Sequence, residues 1–229
     1  MDADGFVDCS CGNRHWGRNG AAGVLAWREG EVLAQLRAPR SISGGTWGFP
    51  GGAIAWAETP IAGALREARE EAGLKRPRIW ATTTEDHGPW SYTSVLAEAA
   101  QGQRACATDR ESSEIAWLAW PEFCSRELMG AVADSLPLLG ALLGRCLLVA
   151  DIEVDPSALQ AGIPLEALPA AHDIAAARAA CPGRRSVRLF PAVADDDAAP
   201  ASASAATGAG YRYVFRASQV DWAAAGLAG

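Results

Sequence analysis

Glu67, Glu70 and Glu71 fall within six residues, Arg66-Glu67-Ala68-Arg69-Glu70-Glu71. Thr59-Pro60 is a helix start, with Thr as N-cap and Pro in the first turn, and Gly73 is a C-terminal stop, so the spacing predicts a helix over 60–72. At about 100° per residue the three carboxylates share one arc about 100° wide, beside an apolar stripe of Ile61, Ala64, Leu65, Ala68 and Ala72. Like charges at i, i+3 and i+4 repel, each pair costing a few tenths of a kcal/mol, and Arg66 and Arg69 offset only part of that. Such a cluster is expected where divalent cations supply the missing positive charge. Taken alone, the run could also be a solvated acidic helix face.

The surroundings decide between these readings. Gly52, five residues, Glu58, seven residues, Arg66-Glu67-Ala68, one residue, Glu70-Glu71, one residue and Gly73-Leu74 form an unbroken pattern. This stretch resembles the Nudix hydrolase (MutT-like) family at every defined position of that family's box. Trp47-Gly48-Phe49-Pro50-Gly51-Gly52 matches the family's common entry to the box. The resemblance implies attack of water on a phosphorus within a nucleoside diphosphate derivative. The implied cofactor is Mg2+, with Mn2+ able to substitute, because a bound cation neutralises phosphate oxygens and acidifies water. The resemblance further implies that Glu67 and Glu71 are metal ligands, that Glu70 is a ligand or a water-positioning base, and that the Gly51 carbonyl binds metal. Arg66 would hold the loop against the helix, Glu58 would orient this loop or reach the metal through water, and Gly52 and Gly73 would allow tight turns.

Family members often add an acid from outside the box, which makes Glu111, and after it Glu114, the candidates here. Arg37 and Arg40 follow a predicted strand where phosphate-binding basic residues are common in the family, and Trp90 and Tyr92 could stack on a base. Trp47 and Phe49 read as loop packing, and His87 as a weak base candidate. Two substrate classes stay open. Pro89, fifteen residues after the box, resembles ADP-ribose and sugar-nucleotide pyrophosphatases. An oxidised-dNTP pyrophosphohydrolase would use an Asn or Asp after Trp117, where only Asp134 is available. A catalytically silent nucleotide-binding regulator is the remaining alternative; silent members usually lose a box glutamate, and here all three are present.

A second group of ligand types lies near the N-terminus. Cys9, Cys11 and His15 are three candidate zinc ligands in seven residues, and a closed zinc site needs four. The expected fourth is Cys106 or Cys124; otherwise the segment is a reduced arm packing His15 and Trp16 on a sheet.

The elements that must position these residues alternate. A hairpin is expected over 20–37, loop with short extended pieces over 39–52, strands over 78–84, 91–97 and 115–120, and helix over 121–143 with a break or kink at Pro137. The implied fold class is α/β, a Nudix α/β/α sandwich with a mixed sheet plus a small C-terminal α+β extension. Its parts are an N-terminal arm (1–19), the Nudix domain (20–144) and the extension (145–229). Within the extension, strands are expected over 146–154, 186–193 and 211–218, a helix over 164–180, and a flexible loop over 195–210. The extension is a candidate homodimer surface.

The 229 residues carry 20 basic and 27 acidic side chains, a net charge of −7. That balance argues against polymeric nucleic acid or an anionic membrane as partner. A small-molecule nucleotide remains compatible, since cations bound at the glutamate cluster would reverse the local sign. The absence of a leader-like start or a long apolar run gives a cytoplasmic expectation. Six cysteines are too sparse for a disulfide scaffold.

Overall fold

The computed structural model describes residues 3–108, 110–168, 171–195, 205 and 211–226. The chain divides into two compact units. One comprises Met1–Ile79, Thr83–Leu136 and Pro182–Arg185, the other Trp80–Thr82, Pro137–Cys181 and Ser186–Gly229.

The first unit begins with an antiparallel pair, β1 (Phe6–Asp8) and β2 (Arg14–Trp16), in which Val7 faces His15. The expected hairpin follows as β3 (Ala21–Arg28) and β4 (Glu31–Arg37). Its two-residue turn has positive φ at both Glu29 (47°) and Gly30 (92°), the backbone a tight hairpin requires. The loop region contributes the short strands β5 (Trp47–Gly48) and β6 (Gly51–Ala53). Helix α1 (Pro60–Ala72) has the expected bounds. Thr59 accepts a hydrogen bond from the Ala62 amide at 3.2 Å, and Gly73 closes the helix at φ 64°.

Next come β7 (Arg78–Asp86), β8 (Ser91–Glu98) and β9 (Ser112–Ala119). The sheet order is β7-β8-β3-β4-β5, with β6 on β3 and β9 on β4. β3 runs parallel to β8 and antiparallel to β4 and β6, so the sheet is mixed. Alternate residues of β3 (Ala22, Val24, Ala26) and β8 (Val95, Ala97), with Ala99 just past the end of β8, form one buried face. Ala64, Ala68 and Ala72 of α1 pack on it with no exposed surface, and Ile61 and Leu65 flank them, as the helical stripe requires. The core face holds the helix close because it shows the sheet methyl groups.

The expected single helix over 121–143 is two, α2 (Trp120–Cys124) and α3 (Gly130–Leu142). The interruption lies at residues 125–129 and not at Pro137, which sits inside α3. Its cause is tertiary: the Trp47 amide donates to the Glu127 carbonyl at 2.8 Å and the Met129 amide to the Trp47 carbonyl at 2.9 Å, so β5 takes over backbone groups a helix would use.

In the second unit, β10 (Arg145–Ala150) lies between β13 (Ala192–Asp195) and β14 (Tyr211–Arg216), parallel to both. Between them in sequence come α4 (Pro156–Ala161), β11 (Ile163–Pro164), α5 (His172–Ala179) and β12 (Arg184–Leu189). The helix expected over 164–180 is confined to α5, because Leu165–Ala167 form a 3-10 turn. Leu147, Leu148, Ile174, Val187 and Phe215 make up much of its buried apolar set. The loop expected over 195–210 lies outside the described residues except for Asp195 and Ala205.

Candidate active site

Three consecutive residues of β6 meet three side chains of α1. The Gly51 amide donates to Glu71 Oε2 at 2.7 Å. The carboxylate of Glu67 occupies the space a Cβ on Gly52 would need, with its carboxyl carbon 2.7 Å from that position. The guanidinium of Arg66 donates to the Ala53 carbonyl at 3.0 Å. Gly52 therefore does not serve as a turn. It lies in an extended strand, and its lack of a side chain is what admits Glu67. Gly51 is required for a different reason: a Cβ there would stand 2.4 Å from the Gly23 Cα and 2.5 Å from the Ala22 carbonyl oxygen of β3.

Arg66 is the hub of an ion-pair network. It reaches Glu58 through Nε (3.1 Å) and a terminal nitrogen (3.0 Å), Glu67 at 2.6 Å and Glu70 at 3.3 Å. Hydrogen bonding to Glu58 foremost raises its pKa above the usual guanidinium range, so it stays charged. The same pair lowers the pKa of Glu58, whose Oε2 also accepts from the Ala55 amide at 3.0 Å. Burial pushes the Glu67 carboxyl up against the pull of Arg66, and the Glu70 and Glu111 charges add to the rise. Glu71 is 2% exposed whereas the Glu70 side chain is 53% exposed, so the arc grades from buried ligand type to solvent-facing acid. One guanidinium thus serves three carboxylates, with Glu71 and Glu111 close by. Carboxylates are hard oxygen donors, the set that Mg2+ prefers, and these residues fit a divalent cation.

Glu111 precedes a bulge. β9 pairs with β4 through Leu36↔Glu114 and then Arg37↔Ser112, so one residue is looped out and the strand is re-aimed. The Ala38 amide donates to the Glu111 carbonyl at 2.8 Å, and the Glu111 charge acts on Glu67. Glu114 stays within the strand opposite Leu36.

Of the candidate substrate residues, Tyr92 lies close to the glutamate arc. Its hydroxyl stands over Gly23, and burial first, then the Glu71 charge, pushes its pKa up to about 12 while Arg37 opposes the rise. The Arg37 Nε donates to the Ile42 carbonyl at 2.7 Å, and Arg40 is exposed in the following turn. Trp90 is packed: its indole N–H donates to the Trp16 carbonyl at 2.9 Å and His15 stacks on its face at 4.1 Å. Trp47 and Phe49 are buried as expected, Phe49 stacking on Phe123 at 4.9 Å. Gln35, which no motif marked, is fully buried and donates to Ser112 Oγ at 2.8 Å.

Cys9, Cys11 and His15 converge, but the fourth member of the cluster is His87 and not Cys106 or Cys124. His87 comes from the turn between β7 and β8, which brings it to His15 from 72 positions away in sequence.

A family model described as NUDIX domain matches residues 17–138. The chain is 44% identical over 151 residues to a Bifidobacterium longum protein named "Nucleoside triphosphate pyrophosphatase/Nudix hydrolase fusion protein", a match over 61% of this chain and 31% of that one. It is 40% identical over 147 residues to a Mycobacterium tuberculosis protein named "Putative 8-oxo-dGTP diphosphatase 3", covering 58% of this chain and 67% of the relative. The crystal structure of RenU, a Nudix hydrolase from M. smegmatis, aligns with a TM-score of 0.55 at 39% identity over 60% of this chain and 92% of that one. The chain thus spans about a third of the length of the first relative and about two thirds of the second.

Proposed function

This chain belongs to the Nudix family, and from that premise we propose that it is a divalent-cation-dependent pyrophosphohydrolase that cleaves a phosphoanhydride in a free nucleotide. The observation that carries the reading is the row of contacts between β6 and α1, which gathers Glu67, Glu70 and Glu71 beside the Gly51 backbone. Mg2+, with Mn2+ as a substitute, would be held by Glu67, Glu70, Glu71 and the Gly51 carbonyl, and would supply charge neutralisation of phosphate and acidification of water. Arg66 keeps this arc in place by binding Glu58, Glu67 and the β6 backbone at once. Glu70, the solvent-facing acid of the arc, is suited to take the proton of the attacking water, and Glu111 is the acid outside the box that would join it. Arg37 and Arg40 would meet the phosphates, and Tyr92 the nucleoside.

The substrate class favoured is a nucleoside triphosphate, with oxidised guanine nucleotides first among them. The name of the Mycobacterium tuberculosis relative supports that choice. The sugar-nucleotide reading rested on Pro89, and this proline lies in the turn where the His87 amide donates to the Trp90 carbonyl at 2.9 Å, which accounts for it without a substrate. A panel of canonical and oxidised dNTPs, ADP-ribose, NADH and sugar nucleotides, assayed chromatographically for the nucleoside monophosphate formed with Mg2+ and with Mn2+, tests both levels. Turnover of ADP-ribose alone would overturn the substrate class. No turnover of any member would overturn the enzyme in favour of a binding module. Among the described residues no helix is long and apolar enough to cross a membrane.

A further inference from the structure

We propose that Cys9, Cys11, His15 and His87 form a closed Cys2His2 zinc site that staples the N-terminal hairpin β1–β2 to the turn between β7 and β8. The four ligand atoms already lie within 4.8 Å of one another, and Cys11 Sγ is 3.1 Å from His15 Nε2. Tetrahedral zinc with S at about 2.3 Å and N at about 2.0–2.1 Å has ligand–ligand edges of roughly 3.3–3.8 Å. The cluster thus needs to contract by about 1.5 Å at most. Two thiolates and two imidazoles are a borderline-soft set that selects zinc and disfavours Mg2+, the opposite of the glutamate arc.

The local backbone is shaped for the purpose. The Cys9 amide donates to the Asn13 carbonyl at 3.0 Å and the Gly12 amide to the Cys9 carbonyl at 3.0 Å, folding a tight loop between the two cysteines and His15. The loop turns at Gly12 with φ 86°, and within it the Cys11 amide points at Cys9 Sγ at 3.5 Å, a donor aimed at a sulfur that would carry charge. Both imidazoles are oriented by partners. His15 stacks on Trp90, with ring planes 10° apart. His87 Nε2 is 2.9 Å from the Glu85 carboxylate, and Glu85 in turn pairs with the buried Arg185 at 2.7 Å. A carboxylate on one ring nitrogen is the usual support for a metal on the other, so His87 would coordinate through Nδ1.

The staple also answers a mechanical need. Among the described residues β1 and β2, three residues each, share a strand ladder only with one another, and a two-stranded ribbon of that size is marginal without further ties. With all four positions filled by the protein the site has no place for a reacting water, so its role is structural.

The test is elemental analysis of the full chain after a wash with EDTA, together with cobalt substitution. About one zinc per chain is expected, together with the tetrahedral cobalt bands and thiolate-to-metal charge transfer of an S2N2 site. Cys11→Ser and His87→Ala should lose the zinc, while Cys106→Ser, an exposed cysteine outside the cluster, should keep it. Removal of zinc by a stronger chelator should lower the melting temperature by several degrees, and zinc should restore it. Substoichiometric zinc with no tetrahedral cobalt spectrum in the unaltered chain would overturn the site, whether or not the variants fold. Full zinc in His87→Ala would overturn this ligand set.

Discussion

Gly52→Ala separates the site from the fold more sharply than removal of any ligand does. The new methyl carbon would stand 2.7 Å from the carboxyl carbon of Glu67, where ordinary contact begins at 3.4 Å, so the carboxylate must retreat by about 0.7 Å. The obstacle is the end of a flexible side chain, and so the strain is relieved by rotamer adjustment. The melting temperature should move by no more than about 2 °C. The retreat matters for chemistry, because Mg2+ holds its oxygens at about 2.0–2.1 Å in near-ideal octahedral geometry. A misplacement of this size is expected to cost on the order of 10–100-fold in turnover and to raise the Mg2+ concentration that gives half-maximal rate. Gly51→Ala behaves differently. Its methyl meets backbone atoms of Gly23 and Ala22 that cannot step aside, so it should destabilise the first unit by about 3 kcal/mol or more. The assay is turnover against Mg2+ concentration beside thermal melts for both variants, then Gly52→Ala combined with Glu67→Gln. The two changes act through one carboxylate, so the double variant should be little worse than Glu67→Gln. Multiplicative losses in the double variant, or unchanged Mg2+ dependence in Gly52→Ala, would refute the reasoning.

Glu70→Gln and Glu71→Gln should each lower turnover by orders of magnitude while leaving the melt nearly unchanged, since an amide oxygen at position 71 still accepts from Gly51. Glu71→Ala strands that buried amide and should cost about 1–3 kcal/mol in addition, read by urea denaturation. Glu111→Gln should reduce turnover well beyond Glu114→Gln, and equal effects would remove Glu111 from the site. The Glu58 carboxyl is held low in the fold by Arg66, so its pairing stabilises the protein above the unfolded value of about 4.3 and is lost as pH falls through the folded value. Denaturation measured from about pH 7 down to about pH 3 should show a steeper acid loss in the native chain than in Glu58→Gln, the difference being about 1 kcal/mol.

Local signals explain why α1 could be read residue by residue. Thr59-Pro60 and Gly73 are covalent neighbours of the helix and act on its own terminal amides and carbonyls, so its bounds need no tertiary information. The glutamate arc follows from the helical repeat alone. What lay beyond the sequence depends on partners distant along the chain. β5 interrupts the helix after Cys124 because Trp47 claims the backbone of Glu127 and Met129, more than 75 positions away. His87 looked like a lone ring until the β7–β8 turn set it beside His15. The packing of Trp90 against His15 and the Trp16 carbonyl is likewise set by residues far away in sequence. Gly52 carried the expected letter for an unexpected reason, since the space it leaves is visible only once Glu67 is folded over the strand.

The alanines under α1 set a clearance. A glutamate side chain has a fixed reach, and Ala64, Ala68 and Ala72 determine how far above the strands its helix rides. The lateral gap between Glu71 and Gly51, and between Glu67 and Gly52, is therefore gauged by methyl groups on the adjoining stripe of the same helix. The alanines act as shims for the carboxylates, and a single added methylene beneath α1 would be felt as a misaligned carboxylate before it was felt as a weakened core.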